Sequence, residues 1–126
     1  MSVLLVSANP LVRDLMAVSS GGVGRLTGQG PVEVIEAADG VQGMKLAWRA
    51  QPDVVVLDEI TSRAGAFAVA RDLKGSIPPF EGKVVILLDR PQDAWLARWS
   101  GADAWFTKPV NPFDLAETIA GFLGEP

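Results

Sequence analysis

Asp58 is the residue whose type and position best suit chemistry, because it directly follows the apolar run Val54-Val55-Val56-Leu57. Four apolar residues in a row, three of them β-branched, predict a strand buried on both faces in the middle of a parallel sheet. A carboxylate that ends such a strand lies at the carboxyl edge of the sheet, where open α/β folds place their sites. The alternative is that Asp58 merely starts a turn or caps the following helix.

The composition excludes several kinds of chemistry. The chain carries a net charge of −4 and has no run of lysine or arginine, which argues against nucleic-acid binding through a basic face. Cysteine and histidine are absent, which excludes disulfides, thiolate metal sites and histidine bases. With 48% apolar and 21% charged residues, we expect one globular domain, 1–126, without an output domain. We see no signal peptide or membrane span and expect a cytoplasmic protein.

Apolar runs and helical stripes alternate along the chain five times. The predicted strands cover 3–6, 32–36, 54–57, 84–88 and 104–106, and a segment long enough for a helix follows each. The first helix is expected to start at Asn9 and Pro10, and the last at Asn111 and Pro112. The inner faces of these two helices are predicted to carry Leu11, Val12, Leu15, Met16 and Val18, and Phe113, Leu115, Ile119, Phe122 and Leu123. This order predicts a parallel, doubly wound α/β sheet with right-handed connections.

The glycine-rich stretch 20–31 suggests a phosphate-binding loop, but its position contradicts that interpretation. Phosphate loops lie between a strand and the helix whose N-terminus holds the phosphate. Here the glycines follow a helix, and no Gly-Lys-Ser or Gly-Lys-Thr occurs. We therefore predict either a frayed helix end or a mobile loop.

Several short motifs resemble those of response-regulator receiver domains, over nearly the full length of the chain. They are Glu36-Ala37-Ala38-Asp39-Gly40, the strand that ends at Asp58, Gly101-Ala102-Asp103-Ala104, and Thr107-Lys108-Pro109-Val110 before Asn111-Pro112-Phe113-Asp114-Leu115. The resemblance implies a flavodoxin-like α/β fold, a five-stranded parallel sheet of order 2-1-3-4-5 with five helices. It implies that Asp58 is the phosphoacceptor position, that Lys108 contacts the phosphoryl group, and that the Lys108–Pro109 bond is cis. It also implies a signalling domain rather than an enzyme, whose partner is a histidine kinase or a downstream effector.

The chain departs from the family at the metal site. Receiver domains carry acidic residues at the end of the first strand that hold Mg²⁺, whereas this chain has Ser7, Ala8 and Asn9. Phosphoryl transfer to a carboxylate needs the metal to offset negative charge, and a hydroxyl, a methyl and an amide cannot replace carboxylate ligands. Glu59 is the one local carboxylate that could compensate, but a neighbour at a strand end tends to point to the other face. We therefore expect no metal cofactor, and Mg²⁺ only if the chain is a conventional phosphoacceptor.

The switch positions of the family are altered as well. Leu88 stands where a hydroxyl residue normally bonds the phosphoryl oxygen, which leucine cannot do. Asp89 follows it and places a negative charge where a phosphate would approach. Trp105 stands at the aromatic switch position, where Leu88 opposite is expected to hold it in one rotamer. Asp58 and Lys108 are then expected to form a permanent ion pair that ties the third and fifth strands together.

Three of the four tryptophans fall in the fourth helix and fifth strand, in the region that receiver domains use for output and dimerisation. Trp95 and Trp99 are one helical turn apart, and an exposed Trp99 beside Arg98 suits a binding hot spot. The alternative is that Trp95 and Trp105 are largely core. We predict an interface here for a protein partner, or for a homodimer through the fourth helix, fifth strand and fifth helix.

Three functions therefore compete. The first is an atypical receiver that acts as an interaction module without Mg²⁺ or phosphorylation. The second is a conventional receiver phosphorylated on Asp58 by a histidine kinase. The third is a flavodoxin-like protein that binds a small ligand or flavin at the carboxyl edge of the sheet, which the fold permits although no motif supports it.

Overall fold

The computed structural model describes residues 1–27, 32–60 and 65–124, and within them a five-stranded parallel sheet. The strands are β1 (Ser2–Val6), β2 (Glu33–Ala37), β3 (Val54–Asp58), β4 (Lys83–Leu88) and β5 (Ala104–Thr107). The helices are α1 (Pro10–Thr27), α2 (Gly40–Ala50), α3 (Ala66–Gly75), α4 (Ala94–Ser100) and α5 (Pro112–Gly124), with a 3₁₀ turn at Pro91–Asp93. The sheet order is β2-β1-β3-β4-β5, so the predicted flavodoxin-like, doubly wound fold is confirmed.

Strand side chains alternate between two apolar layers, as the pleat of a sheet requires. One layer packs against α1 and α5 and contains Val3, Leu5, Val54, Val56, Val85 and Leu87, with Met16, Val23, Leu115 and Ile119 from the helices. The other packs against α2, α3 and α4 and contains Leu4, Val6, Val55, Leu57, Ile86 and Leu88, with Ala47, Val69, Leu73 and Ala97. All five residues of β3 are buried, because this strand lies in the middle of the sheet with helices on both faces.

Side-chain caps begin two of the helices, and a glycine ends a third. The Asn9 side chain accepts a hydrogen bond from the Leu11 N–H at 2.9 Å, and the Asp39 side chain accepts one from the Gln42 N–H at 2.8 Å. Gly101 ends α4 in the left-handed conformation, with φ of 86°, which favours glycine. No helix in the described part of the chain is both long and apolar enough to cross a membrane.

Three apolar residues that were predicted on inner helix faces point outward instead. Leu11 and Val18 in α1 are 76% and 69% exposed, and Phe113 in α5 is 78% exposed. The buried residues Met16 and Leu115 define the inner faces, and a residue two positions away along a helix lies about 200° around the axis. Val18 and Phe113 occupy such positions, so apolar character alone was a misleading guide to their burial.

The prediction of a frayed end or loop over 20–31 is wrong for its first part, because α1 continues to Thr27. Val23 is buried two turns after Met16, and both belong to the layer that contains α5, so burial along α5 offsets the low helix propensity of glycine. Residues 28–31 lie outside the described residues. The same holds for residues 61–64 of the stretch between β3 and α3.

Candidate functional site

Four polar side chains meet at the carboxyl edge of the sheet. Ser7 follows β1, Asp58 ends β3, Asp89 follows β4 and Lys108 follows β5. Because β1, β3, β4 and β5 are consecutive in the sheet, their carboxyl ends bring residues 50 and 51 positions apart in sequence into direct contact. The Lys108–Pro109 peptide bond that follows β5 is cis, as the family resemblance implied.

Both carboxylate oxygens of Asp58 have partners within the protein. Asp58 is only 2% exposed. The Ser7 hydroxyl donates to Oδ2 at 2.7 Å, and the Lys108 ammonium donates to Oδ1 at 2.5 Å. The Ile60 N–H approaches Oδ1 at 3.4 Å. A buried carboxylate needs such donors, since it has exchanged water for them.

Lys108 is shared between two carboxylates. Besides the contact with Asp58, its Nζ donates to Asp89 Oδ1 at 2.7 Å. Partial burial lowers the pKa of the Lys108 ammonium, but the hydrogen bonds to Asp58 and Asp89 outweigh burial, so the pKa lies above its ordinary value. The structure therefore brings together the pair predicted from sequence and adds Asp89, whose carboxylate was expected only to repel an approaching phosphate.

The residues after β1 do not match the oxygen ligands that Mg²⁺ prefers. The Ser7 hydroxyl donates to Asp58 and accepts the Asn9 N–H at 3.0 Å, while Asn9 Oδ1 caps α1. Ala8 offers no side-chain oxygen. Within residues 1–27, 32–60 and 65–124, no three or more acidic, histidine or cysteine side chains are grouped so that they could hold a metal. Lack of Mg²⁺ binding in solution stays a prediction.

Glu59 lines a cleft together with Lys108 and with Asp93, which precedes α4. These contacts on the α4 side do not contradict the expectation that Glu59 points to the face opposite Asp58, so that expectation stays a prediction. Glu59 Oε2 accepts the Asp89 N–H at 3.1 Å, whereas its Oε1 is buried and has no hydrogen-bond partner among the described residues. Burial and the neighbouring Asp93 carboxyl group raise the pKa of Glu59 to about 7.

The two altered switch positions lie in the layer that packs against α2, α3 and α4. Leu88 is fully buried, and Trp105 is half-buried and packs against the same layer. The Arg98 guanidinium lies 5.9 Å from the centre of the Trp105 ring. That Trp105 keeps one rotamer stays a prediction.

The outer face of α4 exposes two indole rings. Trp95 is 63% exposed and Trp99 is 51% exposed, so the alternative that Trp95 is largely core is wrong. Sequence reasoning missed Arg71 of α3, whose guanidinium lies 4.8 Å from the centre of the Trp99 ring and donates to the Trp99 carbonyl at 3.1 Å. No local pattern signals this contact, because the two residues are 28 positions apart.

Comparisons with known proteins point to one family. No protein-family model matches the chain. Over 95 residues it is 34% identical to an uncharacterized response regulatory protein of Mycobacterium tuberculosis, which covers 73% of this chain and 68% of that protein. Over 94 residues it is 31% identical to protein PilH of Pseudomonas aeruginosa, covering 72% of this chain and 77% of that one.

Solved structures share the fold. The receiver domain of a DNA-binding response regulator from Colwellia psychrerythraea matches with a TM-score of 0.83 at 19% identity, covering 99% of both chains. The receiver domain of a Pseudomonas aeruginosa sensor histidine kinase, which has a magnesium ion coordinated in its active-site cleft, matches with a TM-score of 0.79 at 19% identity over 98% of both chains. Given the sequence relatives above and this shared fold, the chain belongs to the response-regulator receiver family.

Proposed function

We propose that this receiver acts as a protein-interaction module that works without aspartyl phosphorylation and without Mg²⁺. The observation that carries the proposal is that protein groups hold both oxygens of Asp58, with Ser7 on one and Lys108 on the other. Asp58 is thus a structural anchor between β1, β3 and β5. The Lys108 ammonium matches its negative charge.

The charges around Asp58 work against phosphoryl transfer. A carboxylate that attacks an anionic phosphodonor needs cations to offset the charge that gathers between them, and in phosphotransfer enzymes metal ions supply this. Here the ammonium that contacts Asp58, that of Lys108, is already shared with Asp89 at 2.7 Å. Asp89 and Glu59 line the same cleft. A phosphodonor that enters this cleft therefore meets further carboxylates.

The remaining task of such a domain is recognition, and α4 offers a surface for it. Trp95 and Trp99 are more than half exposed, and Arg98 lies between them in sequence. Large aromatic residues and arginine dominate binding energy at protein interfaces. A histidine kinase or a downstream effector is the class of partner that the family suggests, and a homodimer through α4, β5 and α5 is the alternative.

One observation favours a second function, that of a conventional phosphoacceptor. Asp58 and Lys108 stand in direct contact at the positions that the family uses for the phosphoacceptor and its lysine. A kinase or a high phosphodonor concentration could then phosphorylate Asp58 despite a poor metal site.

Intact-mass measurement after incubation with acetyl phosphate and Mg²⁺ separates the two functions. We expect the wild-type chain to gain no phosphoryl group, which would add about 80 Da. Asp58→Asn is the matched control, and a receiver domain with an intact acidic cluster verifies the reagent. An adduct on the wild type that is absent from Asp58→Asn would refute the proposal. A variant with Ser7→Asp, Ala8→Asp and Asp89→Ala restores acidic groups at the end of β1 and frees Lys108, and we expect it to gain the adduct.

A further inference from the structure

An exposed patch spans α3 and α4 and consists of Trp95, Arg98 and Trp99 with Arg71; we refer to it as the α4 patch. Trp95 and Trp99 are one turn apart and expose 63% and 51% of their surface. Arg71 and Arg98 are exposed as well. The patch therefore combines two indole rings with two guanidinium groups on one side of the molecule.

The guanidinium groups of the patch contact rings and a carbonyl, but not carboxylates. Arg71 lies over the ring of Trp99 at 4.8 Å, and Arg98 lies 5.9 Å from the ring of Trp105. Across the described ranges of the chain, neither arginine forms an ion pair with an acidic side chain. Two other cations beside these helices are paired instead.

Those paired cations are Lys74, which lies 2.7 Å from Asp103, and Arg90, which lies 3.3 Å from Asp93. The α4 patch thus retains two uncompensated positive charges on a chain whose net charge is −4. A local positive patch on a negatively charged protein favours partners that present negative charge to that patch.

We infer that the α4 patch docks an acidic segment of a partner protein, with carboxylates on Arg71 and Arg98 and an apolar side chain between Trp95 and Trp99. This inference rests on the proposed function, because it names the class of partner that the interaction module recognises. Each arginine is already positioned beside an aromatic ring, so a carboxylate finds its partner group without extensive ordering of a long side chain.

Two other occupants fit the patch less well. A second copy docked patch to patch would bring Arg71 and Arg98 against their own counterparts, and like charges that face each other oppose association. A nucleic acid would need several cations along its backbone, whereas this patch offers two on an acidic chain.

The test is selection of a random peptide phage library on the purified full chain, with an unrelated acidic protein as the background. We expect enriched peptides with net negative charge that carry at least one aromatic or large aliphatic residue. A synthetic fluorescein-labelled copy of the most enriched peptide is then titrated by fluorescence anisotropy. Its affinity should fall roughly tenfold with Trp95→Ala and with Arg98→Glu.

Arg49→Glu is the matched charge-reversal control, since Arg49 is exposed on α2, outside the patch. It should bind the peptide as the wild type does. Arg98→Gln removes the charge without reversing it, and its weaker binding tests the same contact if Arg98→Glu fails to fold. Binding should also weaken with salt, because the contacts are charged.

Enrichment of neutral or basic peptides would overturn the inference, as would no enrichment above the background protein. Equal binding to wild type and Arg98→Glu would do so too. Sedimentation of the wild type as a dimer that Trp95→Ala dissociates would assign the patch to self-association instead. Phosphorylation of Asp58 in the mass measurement would refute the proposed function while leaving this result intact, so the two failures are distinguishable.

Discussion

Removal of the Lys108 charge should destabilise the chain more than removal of the Asp58 charge. In Lys108→Met, the buried Asp58 loses its cation, with the Ser7 hydroxyl as its remaining close donor at 2.7 Å. In Asp58→Asn, by contrast, the Lys108 ammonium keeps Asp89 at 2.7 Å, and its side chain is 27% exposed to water. Substitution of Lys108 should therefore lower the free energy of unfolding more than substitution of Asp58, although the two residues form one ion pair.

The burial of each group gives the magnitude. Leaving one partner of a fully buried pair alone costs about 3–5 kcal/mol, and water that reaches the exposed part of Lys108 reduces this to about 2–3 kcal/mol for Lys108→Met. Asp58→Asn removes one charged hydrogen bond and should cost about 1 kcal/mol. The double variant leaves no buried charge, so its cost should fall below the sum of the single costs by about 1–2 kcal/mol.

Urea unfolding at pH 7, followed by tryptophan fluorescence, measures these differences in the free energy of unfolding. The pKa of Lys108 lies above its ordinary value of 10.5. A raised lysine pKa stabilises the fold below that ordinary value and loses the effect as the pH rises through the folded pKa, so the whole contribution is present at pH 7. Equal costs for the two single variants, or additive costs in the double variant, would refute the reasoning.

Two further predictions concern Glu59 and the helix glycines. Burial and Asp93 raise the pKa of Glu59 from 4.5 to about 7. The protonated Glu59 side chain therefore contributes its full stabilisation of the fold below the unfolded-state pKa, and this contribution is lost as the pH rises through about 7. Glu59→Gln keeps the shape of the protonated side chain, so the thermal stability of this variant should vary less between pH 5 and 8 than that of the wild type. At pH 8 the variant should be more stable than the wild type by about 1 kcal/mol, a figure that allows for solvent screening. An unchanged pH profile of thermal unfolding would contradict this. Gly43→Ala should lower the free energy of unfolding by about 1–2 kcal/mol, because the new Cβ would lie 2.8 Å from Val6 Cγ2. A Cβ at Gly121 meets nothing within 4 Å, so Gly121→Ala should raise the free energy of unfolding by about 0.5–1 kcal/mol. Urea midpoints that move in the same direction for both variants would contradict this.

The fold could be predicted because its determinants are local and repeated. The run that ends at Asp58 and the run Val84-Val85-Ile86-Leu87-Leu88 are apolar throughout, which suits central strands with helices on both faces. Asn9 and Asp39 mark helix starts through side-chain caps that depend on two or three residues. Spacing of this kind is visible in the sequence.

What sequence reasoning missed depends on contacts between distant elements. Asp89 was expected to repel phosphate, and its bond to Lys108 follows from the positions of β4 and β5 rather than from any local pattern. Glu59 Oε2 accepts the Asp89 N–H from 30 positions along the chain, a contact that the pairing of β3 with β4 brings about. The helical path of α1 through Gly21 and Gly22 likewise depends on burial against α5, which glycine propensity does not report.

Burial of apolar residues was the other source of error. Phe113 and Val18 were placed on inner faces because they are large and apolar, yet both lie on the outside of their helices. Apolar atoms make up much of any protein surface, so residue type alone does not settle which side of a helix is buried. Angular position relative to Met16 and Leu115 decides it.

The most direct test of the central claim is a titration of the chain with beryllofluoride and Mg²⁺, followed by ¹⁹F and ¹H–¹⁵N NMR. Beryllofluoride mimics a phosphoryl group on an aspartate and depends on the same counter-ion. Since Ser7 and Lys108 hold Asp58 and the residues after β1 supply no carboxylate for a metal, we predict no bound fluoride resonance and no saturable shift near residue 58. A bound resonance with matching shifts at Asp58 and Lys108, lost in Asp58→Asn, would contradict the account.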